Sequence, residues 1–281
     1  MKIDCHQHYW DPSRGDYHWM PKDGILPKPW QPSDLAPHLS SHGIDKTVVV
    51  QAAATVAETD YMLSLADVTP SIGAVVGWVD FEDPSSLETL RRLKAHPKFR
   101  GVRPMIQDIP NPDWMLRDDV QWAYEALIEL DLTFDALGFP IHIPRFQTLL
   151  ARYPDLRVVL DHCMKPQIRD HGDASDDIQV WKDGMTRLAE ETSAYCKLSA
   201  LATEAADGWT HETLRLYAEH VIDAFGPDRT MWGSDWPVLL ISGAEYGDWH
   251  RYSDAYASHL TEAQCARIFG GTAAEFYRIT D

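Results

Sequence analysis

The sequence predicts an α/β fold, a closed (β/α)8 barrel in which eight parallel strands are each followed by a helix. Eight short apolar segments recur along the 281 residues, and segments with the apolar spacing of amphipathic helices separate them. Parallel strands that helices cover on both faces are apolar throughout rather than alternating. An open doubly wound sheet is the alternative, but no glycine-rich phosphate loop follows any strand. The length suits one barrel domain spanning residues 1–281.

The first half of the chain carries four of these strand and helix units. The strands are predicted at Ile3 to His8, Lys46 to Ala52, Ile72 to Val79 and Phe99 to Met105. The first three helices are predicted at Ser33 to His42, Glu58 to Val68 and from Pro84 through Leu93. The helix that follows the fourth strand is given with the second half of the chain. Unbroken β-branched runs indicate the strands, and apolar residues three or four positions apart indicate the helices.

A long segment between the first strand and the first helix breaks this regularity. Tyr9 to Pro37 is rich in tryptophan, tyrosine and proline, which predicts a loop. Long loops inside compact domains usually have a function. We expect this loop to cover the barrel mouth, either as a flap over the site or as a plug packed against the barrel.

The second half repeats the pattern. Its strands are predicted at Leu132 to Phe139, Leu156 to Cys163, Ala194 to Leu201 and Arg229 to Val238. Its helices are predicted at Val120 to Leu130, Pro144 to Tyr153, Ile178 to Glu191, Thr210 to Phe225, Tyr252 to His259 and Thr261 to Phe269. Eight units therefore emerge, as a closed barrel requires.

Polar side chains recur at the predicted strand ends, where a barrel of this kind places its active site. They are His6 and His8, Gln51, Arg103, His162, Lys197 and Ser199, and Asp235. Strand alternation predicts that Asp4, His6 and His8 share one face, so that two imidazoles converge on one point. Each residue alone has an ordinary structural explanation, but several coincidences at one end of a barrel favour a site.

Composition limits the classes of partner. The formal net charge of −18 disfavours nucleic acid and anionic membranes. No apolar run has the length of a membrane span, and the first residues lack a signal-peptide pattern. The four cysteines include no CxxC pair, and adjacent strand residues face opposite ways, which argues against a nucleophilic pair of Cys163 and His162. We expect a cytoplasmic protein with reduced thiols.

Five motifs in order, IDCHQHYW, FRGVRP, VVLDHCMKP, YCKLSAL and MWGSDWPV, resemble the amidohydrolase superfamily, and within it the amidohydrolase-2 branch of lactonases. The resemblance covers nearly the whole chain and implies a TIM barrel. It further implies that His6, His8, His162 and Asp235 form the catalytic cluster, with Asp235 as the general base. Arg103 would then bind a substrate oxygen or carboxylate.

Two departures from the superfamily pattern bear on metal binding. The fourth strand offers Arg103 where binuclear members have a carboxylated lysine, so a two-metal site is disfavoured. The fifth strand ends without a histidine, and the nearest one, His142, is either a substrate contact or a structural residue at a helix start. One zinc or other divalent ion on His6, His8 and Asp235 is possible, as is a site that works without metal.

The resulting hypothesis is a hydrolase that opens a sugar-acid lactone of the L-fucono- or L-rhamnono-lactone type. Its substrate contacts would be Arg103, Gln51 and His142. Alternatives are a lactonase for pyrone dicarboxylates or muconolactones, a metal-dependent decarboxylase, and a non-catalytic binding protein. The expected partner is a small lactone, with no nucleic acid or membrane, and a homo-oligomer is possible.

Overall fold

The computed structural model describes residues 1–171 and 176–280, and it contains the predicted barrel. Eight strands form one sheet in sequence order, each parallel to the next. They are β1 (Ile3–Gln7), β2 (Lys46–Val50), β3 (Ile72–Gly77), β4 (Phe99–Val102), β5 (Thr133–Ala136), β6 (Arg157–Leu160), β7 (Tyr195–Leu198) and β8 (Thr230–Trp232). All eight are shorter than predicted, mainly at their carboxyl ends, where the residues leave the sheet to form the mouth of the barrel.

Helices cover the outside of the sheet. They are α1 (Pro32–His42), α2 (Val56–Val68), α3 (Ser86–Lys94), α4 (Gln121–Glu129), α5 (Ile143–Arg152), α6 (Ile168–His171), α7 (Asp176–Glu191), α8 (His211–Phe225), α9 (Tyr246–Tyr256), α10 (Glu262–Ala266) and α11 (Thr272–Tyr277). Among the described helices, none has both the length and the apolar character that crossing a bilayer requires.

The last helices differ from the prediction. Of the segment predicted as Thr261 to Phe269, Glu262–Ala266 forms α10, a π-helical turn over Arg267–Gly271 follows, and α11 begins beyond the predicted segment, at Thr272. A Cβ atom at Gly270 would lie 2.3 Å from the Met1 carbonyl oxygen, so only glycine permits this contact between the two ends of the chain. Beyond it, α11 closes the bottom of the barrel with Phe276 and Tyr277, which pack against the strand residues of the interior.

The first strand contains an irregularity that matters for the site. Asp4 pairs with Thr47, but Gln7 pairs with Val49, so β1 has one residue more than β2 over this stretch. Such a bulge interrupts the alternation of side chains. Cys5 packs in the barrel interior, whereas Asp4 accepts hydrogen bonds from Ser234 and Tyr246. The prediction that Asp4 shares a face with His6 and His8 is therefore wrong.

The segment after β1 lies over the barrel mouth. Trp10 and Trp30 pair through two backbone hydrogen bonds of 3.0 and 2.9 Å, and both side chains are buried. Trp19, in the stretch between them, is 41% exposed and donates from its indole nitrogen to the Ala52 carbonyl. The base of the segment is thus packed against the barrel, while its tip forms part of the wall of a cavity.

Candidate active site

The end of β1 and two left-handed turns bring four predicted residues together. His6 and His8 come from β1, while His162 and Asp235 follow β6 and β8. His162 and Asp235 have φ angles of 55° and 56°. This backbone region is unfavourable for residues other than glycine, and such residues cluster at functional sites. Backbone bonds between Asp235 and His6, and between His8 and Trp236, join β1 to this turn and close the barrel.

One carboxylate oxygen lies at the centre of the cluster. Asp235 Oδ1 is 3.2 Å from His8 Nε2, 3.6 Å from His6 Nε2 and 3.8 Å from His162 Nε2. Burial raises the pKa of Asp235, but the facing histidines, His162 foremost, outweigh burial and hold that pKa below its usual value. The carboxylate is therefore ionised at neutral pH and can accept a proton.

The guanidinium of Arg103 lies beside this cluster. Its Nη1 is 3.4 Å from His6 Nε2 and donates to Asp161 Oδ2 at 3.2 Å. Gln51 orients Arg103 through two contacts. The Gln51 side-chain amide donates to the main-chain carbonyl of Arg103 at 2.6 Å, and the main-chain carbonyl of Gln51 accepts from Arg103 Nη2. Gln51 is fully buried and does not line the cavity described next. The structure places it behind Arg103.

A cavity of about 210 Å³ opens onto the cluster. Its polar wall includes His8, His162, Asp235 and Arg103, and its remaining lining residues are Trp10, Trp19, Ala52, Met105, Gln107, Asp108, Leu137, Lys165, Thr203 and Val238. This volume lies below the several hundred Å³ of pockets for drug-sized ligands. It suits a compact ligand of one ring.

The structure does not bring His142 to this cavity. Its Nδ1 accepts a hydrogen bond from the Phe139 backbone amide at 2.9 Å, just before α5, and its side chain is buried. The residue thus occupies the structural position at a helix start that the sequence left open as one of two alternatives.

Comparison with known proteins places this geometry in a family. A family model described as amidohydrolase matches residues 3–279. The chain belongs to the amidohydrolase family. An L-fucono-1,5-lactonase of Burkholderia ambifaria is 40% identical over 99% of this chain and 96% of that relative. Another, of Burkholderia multivorans, is 32% identical over 100% of this chain and 97% of that relative.

A solved amidohydrolase structure also resembles the chain closely. The crystal structure of an amidohydrolase from Burkholderia multivorans with bound zinc matches it with a TM-score of 0.93, at 32% identity, over 100% of both chains. These findings confirm both the predicted barrel and the resemblance to lactonases. They also raise the question of whether this amidohydrolase can hold a metal ion.

The donor set at Asp235 fits one divalent ion. The ligand atoms of His6, His8 and Asp235 lie within 4.8 Å of one another. His8 Nδ1 lies 2.7 Å from the Val50 carbonyl, which can only accept, so His8 Nε2 has a lone pair that faces Asp235 Oδ1. This lone pair and the carboxylate oxygen repel each other unless a cation or a proton lies between them. A metal-ligating histidine commonly binds a backbone carbonyl in this way through its other nitrogen.

A second group of potential ligands, His6, Asp161 and His162, is less suited to a cation. Asp161 already contacts two positive groups, Lys197 Nζ at 2.9 Å and Arg103 Nη1 at 3.2 Å. An additional ion there would lie close to both of these charges. These two charges therefore disfavour a second ion beside Asp161.

Sequence reasoning missed the charged network beneath the histidines. Lys197 Nζ donates to Asp135 Oδ2 at 2.5 Å, forms an ion pair with Asp161 Oδ1 at 2.9 Å and lies 3.1 Å from His6 Nδ1, and all four side chains are fully buried. Burial lowers the pKa of Lys197, but Asp135 and Asp161 outweigh it and raise that pKa above the usual value. Asp135 and Lys197 are charged residues within apolar strands, and such residues are rarely buried unless paired. That signal could have identified the network.

Proposed function

We propose that this amidohydrolase hydrolyses the ring ester of a neutral sugar-acid lactone, of the L-fucono- or L-rhamnono-lactone type, to the open-chain aldonate. The observation that carries the proposal is the ionised Asp235 surrounded by three imidazoles at the wall of a one-ring cavity. The relatives named L-fucono-1,5-lactonase support the substrate class.

Asp235 serves as the proton carrier of the reaction. Water attacks the lactone carbonyl carbon and gives a proton to Asp235 Oδ1, and a tetrahedral oxyanion forms. The bond from that carbon to the ring oxygen then breaks, and the leaving alkoxide takes the proton back from Asp235. One water is consumed, and the products are the aldonate and a proton at neutral pH. A carboxylate with a lowered pKa is a weak base, so the surrounding groups must stabilise the oxyanion.

Arg103 and the histidines supply that stabilisation. Arg103 has a permanent positive charge and lines the cavity beside His162 and Asp235. Burial lowers the pKa of His162 to about 4, so the imidazole is neutral at working pH. Its Nδ1 is 2.9 Å from Ser199 Oγ, which fixes the ring orientation. His162 therefore acts as a neutral polar group rather than as a proton source.

If a divalent ion is bound, His6, His8 and Asp235 are the residues that hold it. The chemistry such an ion supplies when bound is Lewis-acid polarisation of the carbonyl and of the attacking water. His8 remains oriented by the Val50 carbonyl in either case, since this contact uses the other ring nitrogen.

The charges of the cavity favour a neutral substrate over a dicarboxylate. Among its described lining residues, Arg103 and Lys165 carry positive charge, and each already contacts a carboxylate, Asp161 and Glu204 respectively. Arg145, another candidate for binding an acidic substrate, pairs with Asp113 and does not line the cavity. A pyrone dicarboxylate would thus meet no unpaired cation among the described lining residues.

A pH-indicator assay on a panel of lactones tests the proposal. We expect the chain to hydrolyse L-fucono- or L-rhamnono-lactone and to leave 2-pyrone-4,6-dicarboxylate unchanged. The substitution Asp235→Asn should lower kcat by at least about 10³-fold, because it removes the proton acceptor but keeps the shape. The matched control Asp118→Asn changes an exposed carboxylate and should have no effect. Activity in folded Asp235→Asn, or turnover of the pyrone alone, would overturn the proposal.

The same assay, run before and after chelation, settles the metal requirement when the metal content of the sample is measured in parallel. The location we propose is the cytoplasm, and the thiol state supports it. All four cysteines are free, as expected for a reducing compartment.

A further inference from the structure

A second and larger cavity adjoins the catalytic one. Its volume is about 650 Å³, and we call it the aromatic cleft after its principal walls, Trp19, Trp78, Phe81 and Trp114. Trp19, Met105 and Asp108 line both cavities, so the two are neighbours that share a wall. A one-ring lactone at Asp235 leaves the aromatic cleft unused, although its volume lies within the usual range of ligand pockets.

The aromatic surfaces of the cleft are held in fixed positions. Trp114 donates from its indole nitrogen to Glu82 at 2.8 Å and stacks on Phe81, with ring centroids 5.9 Å apart and an angle of 27°. Trp19 donates to the Ala52 carbonyl at 2.5 Å. Rigid aromatic faces bind flat ligands at a low cost in conformational entropy.

The charges around the cleft are those expected for a ligand with hydroxyl donors. Asp16, Asp80, Glu82 and Asp108 line it, and no lysine or arginine is among its described lining residues. Asp16 Oδ1 is buried and has no hydrogen-bond donor within the described part of the chain, while its other oxygen accepts from Arg14 and Thr55. Carboxylates accept strong hydrogen bonds from hydroxyl groups and repel anions.

We propose that the aromatic cleft is a second sugar subsite, so that the chain also accepts a lactone whose ring carries a further neutral sugar unit. The lactone ring lies at Asp235, and the second ring stacks on the partly exposed side chains of Trp19 and Trp78 and donates hydroxyl hydrogen bonds to the carboxylates. Only the ring ester is hydrolysed, and the glycosidic bond stays intact. This inference rests on the proposed lactonase function and extends its substrate class.

The test compares monosaccharide lactones with disaccharide lactones, such as the 1,5-lactones of cellobionic, lactobionic and maltobionic acids, on the full-length enzyme. The substitution Trp78→Ala removes a partly exposed wall of the cleft that does not line the catalytic cavity. We expect it to lower kcat/KM at least about tenfold for a disaccharide lactone and to leave the monosaccharide value within about twofold. The matched control Trp209→Ala changes a partly exposed tryptophan outside both cavities and should affect neither.

A binding measurement keeps the test independent of turnover. In Asp235→Asn, the free disaccharide should quench tryptophan fluorescence saturably, and adding Trp78→Ala should remove the effect. Failure with every sugar lactone would refute the lactonase function itself. Turnover of monosaccharide lactones with no turnover of the disaccharide panel, or an equal effect of Trp78→Ala on both, would refute only the subsite. Binding of benzyltrimethylammonium but not of disaccharides would instead identify the cleft as a site for aromatic cations.

Discussion

Removing the Lys197 ammonium should destabilise the barrel by leaving two carboxylates buried without their cation. We consider Lys197→Met, which keeps most of the side-chain volume. In the folded chain Lys197 Nζ lies 2.5 Å from Asp135 Oδ2 and 2.9 Å from Asp161 Oδ1, and all three side chains are fully buried. Removing one partner of a buried ion pair typically costs about 3–5 kcal/mol.

The remaining contacts keep the cost within that range rather than at twice its value. After the substitution, Asp161 still accepts from Arg103 at 3.2 Å, and Asp135 still accepts from the Tyr277 hydroxyl at 2.7 Å. We therefore expect a loss of about 3–5 kcal/mol near pH 7, a large fraction of the stability of an ordinary domain. The variant should fold, but only marginally.

The loss should also depend on pH, with a definite sign. In the wild type Asp161 has a lowered pKa because Lys197 and His6 outweigh its burial, so its contribution to stability is present above its unfolded pKa. Burial already raises the pKa of Asp135 in the wild type, and without Lys197 we expect burial to raise the pKa of Asp161 as well. The contribution of Asp135 and Asp161 to the free energy of unfolding is then complete only at low pH and is lost as the pH rises. The difference from wild type should therefore grow between about pH 5 and about pH 8.

Urea unfolding followed by circular dichroism, in buffer with a chelator, measures this difference. Lys46→Met is the matched control, because Lys46 Nζ donates to the exposed carbonyl of Pro70 and the loss of this bond should cost less than about 0.5 kcal/mol. A loss in the free energy of unfolding of Lys197→Met below about 1 kcal/mol would show that the network does not depend on the lysine charge. An equal loss at about pH 5 and about pH 8 would show the same.

Two further expectations concern pH. Burial raises the pKa of Glu58 to about 7, above its unfolded value, so its contribution to stability is lost as the pH rises through 7. Glu58→Gln should flatten the pH dependence of Tm between about pH 5 and 8, and an unchanged slope would contradict this. His162 has a pKa of about 4, so kcat/KM for a lactone should show no ionisation of this residue near 6.5, the usual histidine value. A pH–rate profile measured with wild type and with Ser199→Ala would detect such an ionisation.

The barrel could be predicted from the sequence because its signals are local. The run KTVVV must be buried on both faces as a parallel strand, and the spacing of Leu90 and Leu93 suits a helix against the sheet. Strand limits were less predictable, since a residue such as His162 leaves the sheet through a left-handed conformation that its sequence does not require. The bulge in β1 was also invisible, because it depends on the register with β2.

The residues of the site also differ in whether the sequence alone predicts them. His6, His8 and Asp235 could be selected because the fold collects strand ends at one mouth, whatever the details of packing. The partners of these residues could not be selected in this way. Asp135 and Lys197 are 62 residues apart in sequence, and only the closed barrel brings their side chains into contact. Gln51 looked like a substrate contact because it ends a strand, whereas its bonds to Arg103 depend on the neighbouring loop.

The charges in the network allow an expectation about zinc affinity. Lys197 Nζ and Arg103 Nη1 lie 3.1 and 3.4 Å from the two ring nitrogens of His6, so two cations already stand beside this proposed metal ligand before any metal binds. A divalent ion on His6 and Asp235 would add charge close to both cations, which weakens its binding. Lys197→Met removes one of these repulsions and should bind zinc at least about tenfold more tightly, seen as a larger rise in Tm on zinc addition than in wild type. An equal or smaller rise in the variant would mean that Lys197 does not oppose the metal but instead organises its ligands through His6.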